Sequence, residues 1–522
     1  SSSAHDAKLA QFIIIKEATP TGLALFAQQS AENNQLIEQL LADKDLMLQM
    51  LVNDGAEKGK YGQAMKIYTD IQKASPKAKD GVFQRLAMAV SLAHADPIVK
   101  RIWPTSDAPK LTEEMARNPS TYIDPLQRYL NYEKWHAAGE LNVCFKDLNV
   151  WNLRRVVDCA EPDEILAWGR RMLHTLRPDC IPDDEDTLKF VDVTDHEIAY
   201  GSGGLVNDLP ERHAMQNILA NGGICGRRGF FTRFILQAFG VPSTERVEPG
   251  HSTIALWHPS DWQTRLGANW GGGWMGWGGR SYGADLHLLA SSQAREDANA
   301  FMKVKRAQWI ASLMGEDPKP GLIVKNKPAG KPGEMVKSTT WSDIALHGQR
   351  RIIAKLKDSR SKSSPAPSVA KAQPSATGKA SVDAKGVITI PSAACSSPTE
   401  SKRVLYKGRK ADLVVFLRNK EGKTVLHMSR YAKAGDTFEY TFDAPKAGKY
   451  RLVANIATPR PNQKLYATAN GGTPVEMALP YTIGLWGKTD PVEVEFKAGS
   501  NVLKFSGPAR ATFDQFTLTP VN

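Results

Sequence analysis

Cysteine is scarce in this chain: 522 residues hold only Cys144, Cys159, Cys180, Cys225 and Cys395. None forms a CxxC pair or another zinc-type spacing, which speaks against a structural zinc site, and no disulfide-dense scaffold is built from so few. A bridge among Cys144, Cys159 and Cys180 stays open, beside the alternative of buried free thiols, because bridging depends on distance in the fold. Long apolar runs are also missing. No stretch approaches the ~18 residues of a membrane span, so none is expected. The opening Ser1-Ser2-Ser3-Ala4-His5-Asp6 has no basic segment followed by an apolar one, and the expectation is a secreted or periplasmic protein whose signal peptide has been removed. Helix-turn-helix, zinc-knuckle and phosphate-cradling patterns are not found, so no nucleic-acid partner is expected despite the net charge of +12. Part of that excess lies in Ser359–Val382, where Arg360, Lys362, Lys371 and Lys379 have no acidic neighbour. With 42% apolar and 23% charged residues the composition is that of a folded chain, not a disordered one. Its length suits about three domains.

Against these absences one stretch is dense in signals, Asn221 to Asn269. Asn221-Gly222-Gly223-Ile224-Cys225 leads into Phe230, Phe231, Phe234, Ile235, Ala238 and Phe239 at helical spacing, and Gly240 stops the run. Cys225 is therefore expected at a helix start, where unpaired N–H groups and the helix dipole favour a thiolate and could hold an oxyanion. Pro249-Gly250 turns the chain into His251 and the extended run Ser252 to Trp257. A second extended run, Trp262 to Trp270, follows a turn near Ser260. A hairpin centred there places His251 opposite Asn269 or its neighbour, so that an Asn could orient the imidazole. A lone Cys before a helix or a lone His at a strand start is more often structural, and it is the order of the two that points to chemistry.

The order of a Cys on a helix start, a His on one strand and an Asn or Asp on the next resembles the core of the transglutaminase-like (papain-like) superfamily. Gly222-Gly223-Ile224-Cys225, Phe239-Gly240-Val241-Pro242 and Gly250-His251-Ser252 carry the resemblance, over about fifty residues. It implies Cys225 as nucleophile and His251 as general base. Most of that superfamily has an Asp as the third member; here Gly267, Ala268 and Asn269 occupy the position, and Asn269 takes the role by analogy with the Asn variant. No metal or other cofactor is implied.

Around this stretch the chain divides into a helical N-terminal region (1–140), a transglutaminase-like catalytic core (141–357), a Ser/Ala/Pro/Lys linker (358–385) and a β-sandwich (386–522). In the first, Leu36, Ile37, Leu40, Leu41, Leu48 and Leu51 repeat at helical spacing up to Asn53-Asp54-Gly55. In the second, a helix is expected over Pro162–Leu176. Another is expected to carry Glu211, Arg212, His213 and Gln216, from which Gln216 could reach the site; a solvated or structural role is the competing reading. Trp270, Trp274 and Trp277 alternate with glycines after Asn269 and are candidates for a substrate wall, against a structural loop under the core. Helices are also expected over Ser291–Leu313 and Thr340–Leu356. Beyond the linker the period changes to two, in runs such as Thr437 to Phe442, Lys449 to Ala454 and Asn501 to Phe505. Thr441 to Tyr450, Lys497 to Asn501 and Phe513 to Leu518 are similar to a carbohydrate-binding module of the jelly-roll kind. The resemblance implies glycan binding through exposed aromatics, with Trp486 and Tyr481 as candidates and core positions as the alternative. A linker of about 28 flexible residues would span roughly 30 Å and let the module swing.

The fold class expected is thus α+β and multidomain, with a helical N-terminus, a papain-type core and a C-terminal all-β jelly roll. The activity expected is an exported cysteine hydrolase cleaving an amide bond in a protein, peptide or glycopeptide substrate through a thioester, targeted to glycan by the module. The alternatives are a protein-crosslinking transglutaminase and a non-catalytic glycan- or protein-binding scaffold.

Overall fold

The computed structural model describes residues 3–104, 110–180, 182–183, 185–201, 205–248, 251–259, 261–266, 287–293, 295, 297–319, 339–362, 375–406 and 409–521. The N-terminal part is helical, as its periodicity predicts: α1 (Ser3–Ala18), α2 (Pro20–Ala27), α3 (Ala31–Ala42), α4 (Lys44–Val52), α5 (Tyr61–Ala74) and α6 (Gly81–Ala93). The leucine run from Leu36 to Leu51 is two helices rather than one. Asp43, extended at φ −94° and ψ 96°, ends α3 and accepts from the N–H groups of Asp45 and Leu46, capping α4. Asp54 then ties this region to the rest of the chain: it accepts from Trp151 Nε1 at 2.8 Å and pairs with Lys305 Nζ at 2.6 Å.

After α7 (Glu113–Arg117) and α8 (Pro125–Ala137), the middle of the chain packs α9 (Val150–Val157), α10 (Asp163–Leu176), α11 (Lys189–Glu197), α12 (Ala214–Asn221) and α13 (Cys225–Ala238) beside a three-stranded antiparallel sheet. The strands β1 (Ser243–Glu248), β2 (His251–His258) and β3 (Asp261–Arg265) lie in that order. In the β2–β3 hairpin His258 stands opposite Asp261 and Trp257 opposite Trp262. Its underside is anchored by Trp262, whose ring meets those of Trp151 and Trp257, both at 6.2 Å. A helix at 287–293, α14, α15 (Ala298–Leu313) and α16 (Thr340–Lys362) complete this part. The single helix expected over Ser291–Leu313 is thus broken before Asp297, whose carboxylate caps α15 through the Ala300 N–H. No single helix among the described residues is long and apolar enough to cross a membrane.

Residues 375–521 form two packed antiparallel sheets. The larger orders β13 (Gly487–Lys488), β10 (Gly448–Ala457), β16 (Ala511–Pro520), β8 (Thr424–Met428), β7 (Arg409–Arg418) and β6 (Lys402–Tyr406). It also takes β14 (Val492–Phe496) on β10, β5 (Ile388–Pro391) on β16 and β4 (Ser381–Val382) on β5. The smaller orders β12 (Val475–Leu479), β11 (Gln463–Ala469), β15 (Gly499–Ser506) and β9 (Phe438–Ala444). Alternation decides which face is inside: Phe438, Tyr440, Phe442 and Ala444 of β9 are buried while Thr441 and Asp443 between them are exposed. The inward aromatics stack, Phe505 on Phe516 at 4.4 Å and Phe438 on Phe505 at 5.0 Å.

The expectation of a freely swinging module is corrected here, because the sandwich is docked on α10 and α11. Ile483 and Leu485, between β12 and β13, pack into the main hydrophobic core, and Trp168 Nε1 donates to the Ile483 carbonyl at 3.2 Å. Gly484, at φ +77°, crosses α10 so closely that a Cβ there would lie 2.6 Å from Met172 Cγ. Thr512 donates to the Leu176 carbonyl at 3.1 Å. Fully buried Glu197 and His427 meet at 2.9 Å across the junction. A surface with a buried ion pair and an apolar plug holds two bodies together regardless of the length of the chain joining them.

Candidate active site around Cys225

Cys225 is the first residue of α13, half-buried, with Ile224 before it 48% exposed. Ile224 has no side-chain acceptor, so the helix starts without a side-chain cap and its first N–H groups are open to another acceptor. The two glycines before it are forced. Gly222 sits at φ +74°, and a Cβ there would overlap the Ala199 carbonyl oxygen; a Cβ on Gly223 would lie 2.6 Å from the Arg227 side chain. Arg227 locks this turn from within. Its Nε donates to the Gly222 carbonyl at 2.9 Å, and its Nη1 and Nη2 make a bidentate pair with Asp208 at 2.7 and 2.9 Å. Asn221 Nδ2 also donates to Asp208, at 3.0 Å. On the other side Gly223 N donates to the Ala199 carbonyl at 3.0 Å, and Arg228 pairs with Asp195 at 2.8 Å.

His251 is the first residue of β2 and is half-buried. Helix and strand approach at Gly229, where a Cβ would stand 3.7 Å from the Thr253 carbonyl and 3.8 Å from that of Ser252. Cys225 lies one turn before Gly229 on the same helix face, and His251 one residue before Ser252. Each is thus within about 6 Å of this one contact along its own element.

The imidazole is held by a group the sequence did not advertise. His251 Nε2 is 3.2 Å from the Leu266 carbonyl oxygen. A carbonyl only accepts, so Nε2 is the protonated nitrogen, and Nδ1 is left to take a proton. Leu266, the residue just past β3, is in a left-handed conformation, φ +63°, rare for a bulky residue and of the kind found where backbone is held for a purpose. Asn269, expected to orient His251, lies outside the described residues, as do Trp270, Trp274 and Trp277.

The other expected residues are placed as follows. Gln216 accepts from the His213 N–H at 3.2 Å and His213 Nδ1 from the Met215 N–H at 3.1 Å, a capping box for α12, which begins at Ala214 and not before Glu211. Tyr481 lies at the junction of core and sandwich under the Arg212 guanidinium, 5.5 Å from its ring. Burial pushes its phenol up to about 12. Trp486 is 43% exposed, immediately after Leu485 of the loop that plugs the core. All five cysteines are free, and burial raises the thiols of Cys144, Cys159, Cys180 and Cys395. Among the described residues no cluster of His, Cys, Asp and Glu could hold a metal ion. Asp208, Arg227 and Leu266 were not legible, because a long-range ion pair and a backbone carbonyl leave no periodic or local mark.

No protein-family model matches this chain, and no curated protein does. Solved structures similar to part of it include carbohydrate-binding modules. One is the GH26-CBM35 beta-(1,4)-mannanase of Podospora anserina, at 14% identity and TM-score 0.21, covering 26% of this chain and 28% of the mannanase. Another is a family 35 carbohydrate-binding module from Clostridium thermocellum, at 18% identity and TM-score 0.18, covering 20% of this chain and 87% of the module. A third is the C-terminal CBM6 of the laminarinase LamC from Zobellia galactanivorans, at 16% identity and TM-score 0.20, covering 26% and 98%.

Proposed function

We propose that this chain is an exported cysteine hydrolase that cleaves an amide bond in a protein, peptide or glycopeptide. The observation that carries the reading is the contact of α13 with β2 at Gly229, which lies one turn past Cys225 on an uncapped helix and meets the strand at Ser252, next to His251, whose Nε2 is already held by Leu266. In the proposed reaction His251 Nδ1 takes the proton of Cys225 as Sγ attacks the carbonyl carbon. The N–H groups at the start of α13 receive the oxyanion. The same proton passes to the leaving amine, the C–N bond breaks, and water, deprotonated by His251, hydrolyses the thioester. The glycan-directed part of the reading is supported by the sandwich, with Trp486 exposed on it. A transglutaminase would resolve the same thioester with a lysine amine.

A non-catalytic scaffold is the second reading, favoured by the backbone carbonyl that stands where a carboxylate is usual. Incubation with a glycoprotein, and with casein plus a primary amine, separates the three. Released glycan or peptide fragments support the hydrolase, incorporated amine supports the transferase, and no product from any of them, with Cys225→Ala binding like the parent, supports the scaffold.

A further inference from the structure

Where the sandwich meets the core, on the side of α12, the two enclose a cleft of 860 Å³. The core contributes Asp208, Asn217 and Asn221, and the sandwich Arg430, Arg460, Lys464 and Arg510. The volume falls in the range of sites for small ligands. Its charge is one-sided. Asp208 is already neutralised by the bidentate Arg227, and Lys464 is paired with Glu476 at 2.7 Å. Arg430 donates to the Asp195 carbonyl at 3.0 Å, leaving its charge uncompensated there. The guanidinium groups of Arg460 and Arg510 make no ion pair or hydrogen bond with any described residue.

Such an arrangement is costly unless something anionic completes it. Burial lowers the Arg510 guanidinium to about 10; repulsion from Arg460 and Arg430 adds to the effect, and attraction from Glu197 and Tyr431 only partly opposes it. The chain nevertheless holds the two arginines in place. Gln463 Nε2 donates to the Arg460 carbonyl at 3.2 Å and the Arg510 carbonyl at 2.8 Å, and its Oε1 accepts from the Arg510 N–H at 2.6 Å. One side chain thus ties both arginine-bearing turns together. Beside them the Tyr481 hydroxyl is buried with no hydrogen-bond partner among the described residues.

We infer that this cleft is a binding site for an acidic oligosaccharide, its carboxylate or sulfate groups on Arg460 and Arg510 and a sugar hydroxyl on Tyr481. Guanidinium forks match planar and tetrahedral oxyanions in pairs, and a phenol with its ring against a sugar provides the neutral part of the contact. An acidic peptide would use the same charges but would leave the Tyr481 hydroxyl without a specific partner. The inference rests on the cleft and not on the chemistry proposed for Cys225, so the two fail separately.

The test is isothermal titration of the full chain with a uronic acid trisaccharide, a sulfated trisaccharide, an uncharged trisaccharide and a Glu-rich peptide. At least one charged sugar should bind and the uncharged one should not, with the stronger of the two charged sugars naming the group recognised. Arg460→Ala and Arg510→Ala should each weaken binding by about tenfold or more, with unchanged melting temperature, while Arg510→Lys weakens it less. Cys225→Ala should bind like the parent. Equal binding of charged and uncharged sugars, tighter binding of the peptide, no binding of either charged sugar, or parental affinity in both folded Arg→Ala variants would overturn the site. Should Arg510→Ala not fold, Arg460→Ala and Tyr481→Phe carry the same expectation.

Discussion

The sandwich and the core differ in how they use their polar side chains. Along the sandwich strands polar residues stand outward on alternate positions and the inside is aromatic, as along β9, while side chains such as Gln463 and Asn501 hold backbone at the turns and strand ends. In the core, polar residues are buried and lock backbone: Arg227 grips the turn before Cys225, Thr194 meets Thr232 at 2.7 Å, and Gln237 donates to Asp158 at 2.6 Å. A fold of the first kind is held by area removed from water, and a fold of the second kind also fixes where particular atoms point. The site proposed for catalysis lies in the second kind of structure.

If that contrast is right, the largest effect should come from the core and appear in turnover rather than stability. Cys225→Ala is expected to abolish turnover, by roughly 10⁴-fold or more, with an unchanged thermal midpoint. An unfolded product would mark a structural cysteine, and an active folded one would end the nucleophile claim. His251→Ala should lower turnover by about 10²–10⁴-fold with little change in melting. Gly222→Ala sharpens the comparison: at φ +74° and against the Ala199 carbonyl, its cost should be about 1–3 kcal/mol in urea unfolding, with turnover falling because Cys225 moves. A similar glycine substitution at Gly499, φ +83° with nothing within 4 Å, should cost less and leave turnover unchanged.

The junction between the two regions offers a further break. Glu197→Ala leaves the buried His427 without its carboxylate, with Thr512 alone on its other nitrogen, and should cost about 3–5 kcal/mol; His427→Ala should do likewise. Burial pushes the Glu197 carboxyl up, but His427 outweighs it and holds the carboxyl below 4.5. A folded-state value below the unfolded one stabilises the ionised form, so this contribution is complete above 4.5 and is lost as pH falls through the folded value. Acid titration of the parent should therefore show a loss of stability below 4.5 that is smaller in Glu197→Ala, where carboxyls such as Asp54 and Asp412, also held low, supply what remains. Gln216→Ala, which removes one arm of the α12 capping box, should have the smallest effect, about 0.5–1 kcal/mol.

What was legible in the sequence follows the same division. A period of two is written residue by residue, so β9, β10 and β15 could be placed from Phe438, Tyr450 and Leu503 and their neighbours. Helix α13 was equally plain, because its apolar residues run together and Gly240, at φ +75°, ends it. The β2–β3 hairpin was legible from the Pro259-Ser260 turn. Strand β1 was not, since Ser243-Thr244-Glu245-Arg246 alternates in no apolar pattern; it forms because β2 pairs with it along its length. The docking of the sandwich could not be read either. It depends on Ile483 and Leu485 meeting α10 and on Glu197 meeting His427, contacts between residues hundreds of positions apart that no local pattern encodes.

The most direct test of the central claim is competitive alkylation of the intact, folded chain with iodoacetamide, read by mass spectrometry at each of the five cysteines. Cys144 is the internal control, since it is also half-buried but has its thiol pushed up by burial and by Glu185 and Asp147. The account predicts that Cys225 is modified first, well ahead of Cys144, and that His251→Ala removes this preference. Modification of Cys225 no faster than Cys144, or a preference that survives His251→Ala, would contradict it.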